Sequence, residues 1–486
     1  MFIEQLDGDE ATLFSMKSHP SRITKKISQL TAQLTPLFDR AKKIFMRHTA
    51  TDLQWLIIIL LLGSLFRLPF LDRPNDTVFD EVVYANYVTF ILEGHPFFDI
   101  HPPFARMIFS EIAKISEPFT LTTLINKPNQ LFNDFPYVPL RTGVAMFGIL
   151  LPLLIYALLR SIKTTPRLSG TVAFLVVIDP ALIIYSRFIL PDMLLLVFEF
   201  LALLAAFAAV NSTSETKARA YILLSAVSIG FAVSIKWTAL AVLATISLLY
   251  LLSKRYTAIL FSFGVVLFLY VAIFVSSMFS FPTGGKIDPV VVAYDTPYIA
   301  NIHFPAHPTI AHALPFLMEY HEAMLDANKD PQISAHILQG SHPLSWSISK
   351  ITYAFWKGPE GNRIILQGNV ILWPILFFLF LFEMTWIGMS FFQSRRWPIG
   401  RDETVLLAGY LMNYLPFFVI NRPMHLYHYL TALVFLFLLV PKILPRVLHC
   451  VTLVLKEPHF TRIMVAVLLV EVILNFFFII RTIYGL

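Results

Sequence analysis

Eleven apolar runs, most of them near the ~20 residues a helix needs to cross a bilayer, constrain this chain more than any other feature. They lie at about 53–70, 140–159, 168–186, 190–210, 220–235, 237–252, 257–279, 370–391, 404–420, 428–445 and 463–480. Lipid offers no partner to backbone N–H and C=O groups, so spanning segments must satisfy them internally. The runs therefore predict an all-α integral membrane protein with about eleven transmembrane helices. Composition agrees: the 486 residues are 57% hydrophobic and 14% charged, with a mean hydropathy of +0.68, whereas a soluble domain is about 25% charged. Threading from a cytoplasmic N-terminus puts Arg160/Lys163/Arg167, Lys217/Arg219, Lys254/Arg255, Arg395/Arg396/Arg401 and Lys442/Arg446/Lys456/Arg462 on one side. Every cluster then obeys the positive-inside rule.

The same threading leaves two long segments outside, about 71–139 and 280–369, both rich in Pro, aromatics and His. They are expected to carry interfacial helices packed on the outer membrane face. Residues 1–50 place Ile23, Ile27, Leu30, Leu34, Leu37, Ala41 and Ile44 at helical spacing beside Lys17, Arg22, Lys25, Lys26, Arg40, Lys42, Lys43 and Arg47. That pattern predicts a cytoplasmic amphipathic basic segment on an anionic surface, with residues 51–486 forming the polytopic domain; a partly disordered tail is the alternative. No apolar h-region precedes residue 50, so no cleaved signal peptide is expected. The single cysteine, Cys450, gives no disulfide framework, and the net charge of +6 is spread between apolar runs rather than gathered for nucleic acid. GxGxxG, Walker A and GxSxG motifs are absent, which disfavours nucleotide-driven chemistry.

Chemistry-bearing residues collect in residues 78–110, VFDEVVYANYVTFILEGHPFFDIHPPFARMIFS. Asp80 and Glu81 are adjacent acids just beyond the first run, where burying charge is costly and calls for a reason. On a helix Tyr84, Tyr87 and Ile91 share Asp80's face, while Glu81 points about 100° away, so the two acids should differ in role. Asp80 as general base and Glu81 as an orienting or acceptor-binding group is one reading; solvated helix N-terminal acids are the other. His101-Pro-Pro followed by Arg106 reads as a helix start able to meet a phosphate, or as a surface helix with a snorkelling arginine. Arg141, Arg187, Asp192, Lys236, Arg422, His425, Tyr427 and His428 all fall at outer ends of spans. Each alone suits an anchor; their common side suggests one mixed-charge site. Tyr84 near the acids, and His342 and Trp346 in SHPLSW, are candidates for holding an acceptor. Six histidines lie between His303 and His342, but none shows a zinc spacing, so no metal site is assigned.

These residues give the chain its resemblance to the protein O-mannosyltransferase family, membrane glycosyltransferases of the GT-C class that use polyprenyl-phosphate mannose. The likeness rests on FDEVVYANYVTFILEGHPFFDIHPPFARMIF, PLRTGVAMFGIL, IDPALIIYSRFILPDMLLL, GFAVSIKWTAL, SHPLSW and RPMHLYHYL, in the family's order. It implies Asp80 and Glu81 as the acidic pair, with Asp80 the base for the acceptor hydroxyl. It implies Arg141 as the arginine opening the second span, and His101, Arg422, Tyr427 and His428 beside the donor phosphate. Arg106 stands where lysine is expected in HPPLGK, SHPLSWSIS lacks the usual proline after tryptophan, and the repeat domain of eukaryotic members is missing.

The activity implied is inverting transfer of mannose from a polyprenyl phosphate to Ser/Thr of exported proteins. It needs no obligatory cofactor, although an acid pair near phosphate could recruit a divalent cation. Lipid or glycan acceptors, as for aminoarabinose transferases, are the alternative. A transporter, which would need mid-bilayer ionisable groups and discontinuous helices, is a third reading. The resemblance further implies a dimer, and the missing repeat domain a plasma-membrane location with an outward-facing site, an intracellular membrane with a lumen-facing site being the alternative; nucleic acid is not an expected partner.

Overall fold

The computed structural model describes residues 52–116, 125, 129–281, 302–330, 340–350, 353–420, 424–456 and 458–486. The basic segment expected over residues 1–50 and the candidate Arg422 lie outside them. The helices are α1 (Asp52–Arg67), α2 (Glu81–Glu93), α3 (Phe104–Ser116), α4 (Tyr137–Ser161), α5 (Pro166–Val177), α6 (Pro180–Tyr185), α7 (Asp192–Asn211) and α8 (Glu215–Val233). After them come α9 (Leu240–Leu252), α10 (Tyr256–Met278), α11 (Ala313–Lys329) and α12 (Pro343–Ser347). A hairpin of β1 (Tyr353–Lys357) and β2 (Arg363–Leu366) follows, then α13 (Leu372–Ser394), α14 (Arg401–Tyr414), α15 (Leu430–Leu455) and α16 (Pro458–Tyr484).

Each of the eleven apolar runs holds a helix, and the protein is a multi-pass membrane protein. Among the described residues seven helices are long and apolar enough to cross alone. Those in the runs at 53–70, 168–186, 237–252 and 404–420 are shorter, at 16, 12, 13 and 14 residues. The run at 168–186 breaks at Pro180, which has no N–H to continue the hydrogen bonding of α5; it starts α6 instead, with Asp179 as N-cap accepting from the Leu182 amide at 3.1 Å. The break frees carbonyls at the end of α5. Arg67 reaches across and donates to those of Val177 and Val176 at 3.1 and 3.5 Å. Arg187 does the same for the end of α1, donating to the carbonyls of Arg67, Pro69 and Phe70 at 3.2, 2.7 and 2.9 Å. A buried guanidinium thus meets the negative end of a helix where water is excluded.

One end of the bundle is tied by Arg160 to Asp52, Asn211 to the Ser161 carbonyl, Arg255 to Glu215, and Arg401 to Asn211 and Ser253. Four of the bases and turns assigned to the inner face therefore do share one face. Besides α11 and α12, the outer segment at 280–369 holds a hairpin in which β1 and β2 pair antiparallel, Tyr353 opposite Leu366. Charge also lies away from the bundle ends: Glu199 and Glu383 are fully buried within α7 and α13, and Arg446 of α15 bridges Glu383 and Glu403. A discontinuous helix and mid-helix acids, the marks expected of a transporter, thus occur here without an inverted repeat in the sequence.

Candidate active site

The strained link is Phe79, held at a φ of 53° immediately before α2, a conformation costing roughly 1–3 kcal/mol in a non-glycine residue. The hairpin holds it. The Phe79 amide donates to the Phe355 carbonyl at 3.1 Å, the two rings stack with centroids 4.2 Å apart, and Trp356 Nε1 donates to Asp76 at 2.8 Å. The turn sends the two acids different ways. Glu81 goes inward, fully buried, and its oxygens accept from Arg141 Nε and Nη2 at 2.8 and 2.6 Å, from the Val78 amide at 2.9 Å and from the Ile189 amide at 2.8 Å. Arg141 adds the carbonyls of Leu71, Pro74 and Asp76 at 3.1, 2.6 and 3.1 Å. The pair clamps the loop before α2 to α4 and to the turn after α6. Glu81 has no oxygen left for an acceptor, and Arg141 none of its face for a phosphate.

Asp80 is the opposite case. It occupies the N-cap position of α2 but makes no side-chain cap bond, and it remains partly accessible. Burial pushes its carboxyl up to about 7, with the Lys236 ammonium pulling it down and the Asp192 carboxylate pushing it further up. A carboxyl poised there can take a proton near neutral pH.

Lys236 and Asp192 pair at 2.8 Å on the wall of a cavity of about 390 Å³ including its mouth. Leu195 and Leu196 of α7, Thr238, Asn413 in the last turn of α14, Phe417 beyond it, Tyr427, His428, Leu430 and Thr431 line the rest. Tyr427 and His428 occupy a short 3-10 turn ahead of α15, their rings stacked at 4.3 Å, and the Lys236 ammonium sits 5.4 Å over the Tyr427 ring. The turn at Lys236 is fixed by α3, whose Phe104 amide donates to the Ser234 carbonyl at 3.0 Å. It is fixed also by α10, where Tyr270 accepts from Trp237 Nε1 at 2.8 Å and meets His321 Nε2 at 2.8 Å.

Of the candidates drawn from sequence, Asp192, Tyr427 and His428 meet at this cavity, with Asp80 in its electrostatic field. Tyr84 is buried, edge-on to Tyr87 and Phe109, and the fields of Asp80, Asp192 and Tyr427 all act on it. His101 is half-buried; its amide donates to Asp99 and its carbonyl accepts from Arg106. Arg106 is sealed away, bound to Asp99 at 2.6 Å and to Tyr320 at 3.2 Å, so it secures the loop rather than meeting a ligand. Its helix starts after the two prolines, at Phe104, not on them. Arg187 is likewise spent on carbonyls. Trp346 is buried one layer out, its ring against Phe417 and His428, and His342 is exposed at the start of α12.

Sequence reasoning counted Lys236 among the outer-end charges of one mixed-charge site without giving it a role, and passed over Asn413, Thr431 and Glu199. A lone base at the outer end of the fifth run, and an acid inside the fourth, were signals that could have found two of them. Among the described residues no group of three or more His, Cys, Asp or Glu is placed to hold a metal ion.

A family model described as dolichyl-phosphate-mannose-protein mannosyltransferase matches residues 57–282, and one described as the C-terminal four TMM region of protein-O-mannosyltransferase matches 314–486. Dolichyl-phosphate-mannose–protein mannosyltransferase 1 of Candida albicans is 31% identical over 164 residues, 33% of this chain and 18% of its own length. Protein O-mannosyl-transferase 1 of Homo sapiens is 28% identical over 163 residues, 30% of this chain and 21% of its own length. The matched stretch thus spans about a fifth of these relatives. The Saccharomyces cerevisiae protein O-mannosyltransferase Pmt1-Pmt2 complex, solved bound to the sugar donor, shares the fold with a TM-score of 0.74 at 17% identity, covering 92% of each chain. The Archaeoglobus fulgidus oligosaccharyltransferase in its apo form reaches 0.51 at 15% identity over 90% of this chain and 57% of its own. Two models of one family together cover most of the sequence, and a member's fold is matched over 92% of each chain, so the chain belongs to the protein O-mannosyltransferase family and has a GT-C membrane glycosyltransferase fold.

Proposed function

We propose that this protein transfers mannose from a polyprenyl-phosphate mannose to Ser/Thr hydroxyls of exported proteins, inverting the anomeric carbon. The observation that carries the reading is the division of labour at residues 80 and 81: one acid is saturated by an arginine, and its neighbour is left unpaired and poised near pH 7 in the field of the Lys236–Asp192 pair on the cavity wall. In the reaction the acceptor oxygen attacks C1 of mannose, its proton passes to Asp80, and the C1–O bond to phosphate breaks. The electron pair leaves with the polyprenyl phosphate. Lys236, shared with Asp192, supplies the positive charge that meets the phosphate, and Tyr427, His428 and Asn413 line the same cavity. A phosphate is already a good leaving group, so a base and a preorganised cation suffice. Glu81, Arg141, Arg106 and Arg187 are positioning residues in this scheme.

The cavity lies at the bundle end opposite the Asp52–Arg160 and Arg255–Glu215 ties, the face that the positive-inside threading makes extracytoplasmic. A plasma-membrane location and a dimeric assembly complete the proposal. The test is transfer by purified protein from defined polyprenyl-phosphate mannose to a panel of Ser/Thr peptides and lipid acceptors. Peptide mannosylation that disappears in Asp80→Asn is the expected result. Transfer to lipid alone, or none with any acceptor, refutes the reading.

A further inference from the structure

Glu199 stands inside α7 about two turns below Asp192, and no step above uses it. Asp192, Leu195, Leu196 and Glu199 follow one another at helical spacing on one face, and the first three line the cavity. Glu199 is fully buried; its Oε2 lies 2.8 Å from Thr431 Oγ1, and its Oε1 has no hydrogen-bond partner. Thr431 does line the cavity, so the carboxyl reaches the site only through that one hydroxyl. Ionised, it would carry a bare oxygen in packed helix interior, with Lys236 already held by Asp192.

The protonation state decides which way the hydroxyl faces. A carboxylate can only accept, which turns the Thr431 hydrogen toward Glu199 and shows only lone pairs to the cavity. A carboxylic acid can donate to Thr431 Oγ1, which frees the hydroxyl hydrogen to point the other way. We propose that Glu199, as a neutral carboxyl, is a positioning residue that makes Thr431 a hydrogen-bond donor to an anionic oxygen of the polyprenyl phosphate. This rests on the function proposed above; no bond to carbon or phosphorus is made by either residue.

The experiment uses the purified full-length chain and polyprenyl phosphate itself as probe, with two readouts: affinity by calorimetric titration, and the carboxylic-acid C=O stretch by infrared difference spectroscopy. A carboxylic-acid band that is lost in Glu199→Gln and shifts on adding polyprenyl phosphate is expected. Glu199→Gln, whose amide can still donate to Thr431, should bind within about threefold of the unmodified protein, as should Thr431→Ser. Thr431→Val should weaken binding by about tenfold to a hundredfold, the effect of losing one hydrogen bond to a charged partner; Thr431→Ala reads the same loss if the valine variant does not fold. Absence of the band, Thr431→Val binding as tightly as the unmodified protein, or Glu199→Gln weakened as much as Thr431→Val each overturns this inference alone. If the unmodified protein does not bind polyprenyl phosphate while the band is present, the cavity assignment falls, and the role of Thr431 with it.

Discussion

Replacing each of the adjacent acids by its amide should produce opposite phenotypes. Glu81→Gln keeps shape but removes the charge that faces Arg141 at 2.8 and 2.6 Å in a fully buried site. Breaking one partner of such a pair leaves an uncompensated buried ion and costs about 3–5 kcal/mol. The amide also turns an NH₂ toward one of the donors that now point at Glu81, adding about 1–3 kcal/mol for a polar group left unsatisfied. A thermal unfolding midpoint well below that of the unmodified protein is expected in detergent, read by tryptophan fluorescence. Asp80→Asn removes a carboxyl that makes no described hydrogen bond and whose charge burial already disfavours, so its midpoint should be unchanged or higher. Its turnover should fall by about 10²–10⁴, the contribution of a positioned general base. Measuring transfer per folded molecule separates the two effects. Asp80→Asn turning over within tenfold of the unmodified protein, or Glu81→Gln unfolding at the unmodified midpoint, would show that the acids have been given each other's roles.

Because Asp80 must be ionised to accept a proton and its carboxyl is raised to about 7, kcat/KM should climb with pH through about 7 and level off above. Lys236→Met removes the cation that holds that value down and should move the limb to higher pH; an unmoved limb in a pH–rate profile contradicts the assignment. Arg187→Met should lower the unfolding midpoint by stripping three carbonyls of their donor, while folded protein keeps its affinity for polyprenyl phosphate. Weakened binding by folded Arg187→Met would restore the arginine to the donor site. Gly170→Val should destabilise by about 1–3 kcal/mol, since a Cβ there would lie 2.2 Å from the Trp55 ring where α5 meets α1. A scan of unfolding midpoints checks it, and a variant as stable as the parent would mean that the helices separate freely.

How much of this was readable in advance follows from the range of each interaction. The helical membrane architecture was legible because a helix satisfies its own backbone, and its requirement appears as a local run of apolar residues. The break at Pro180 inside the run at 168–186 went unread, although its cause is equally local. Motif order supplied Asp80, Asp192, Tyr427 and His428 as candidates at the outer ends. What residue type could not tell was which charges were already spent. Arg106, Arg141 and Arg187 look like phosphate ligands on paper, yet their partners are Asp99, Glu81 and a set of backbone carbonyls up to 120 residues away in the chain. Asp80 and Glu81 are neighbours in sequence, yet the turn at Phe79 sends one into an ion pair and leaves the other without a side-chain partner in the field of Lys236 and Asp192. Hydrophobic periodicity is written residue by residue along the chain, whereas the desolvation that sets a carboxyl's role depends on everything packed around it, and that exists only once the helices have assembled.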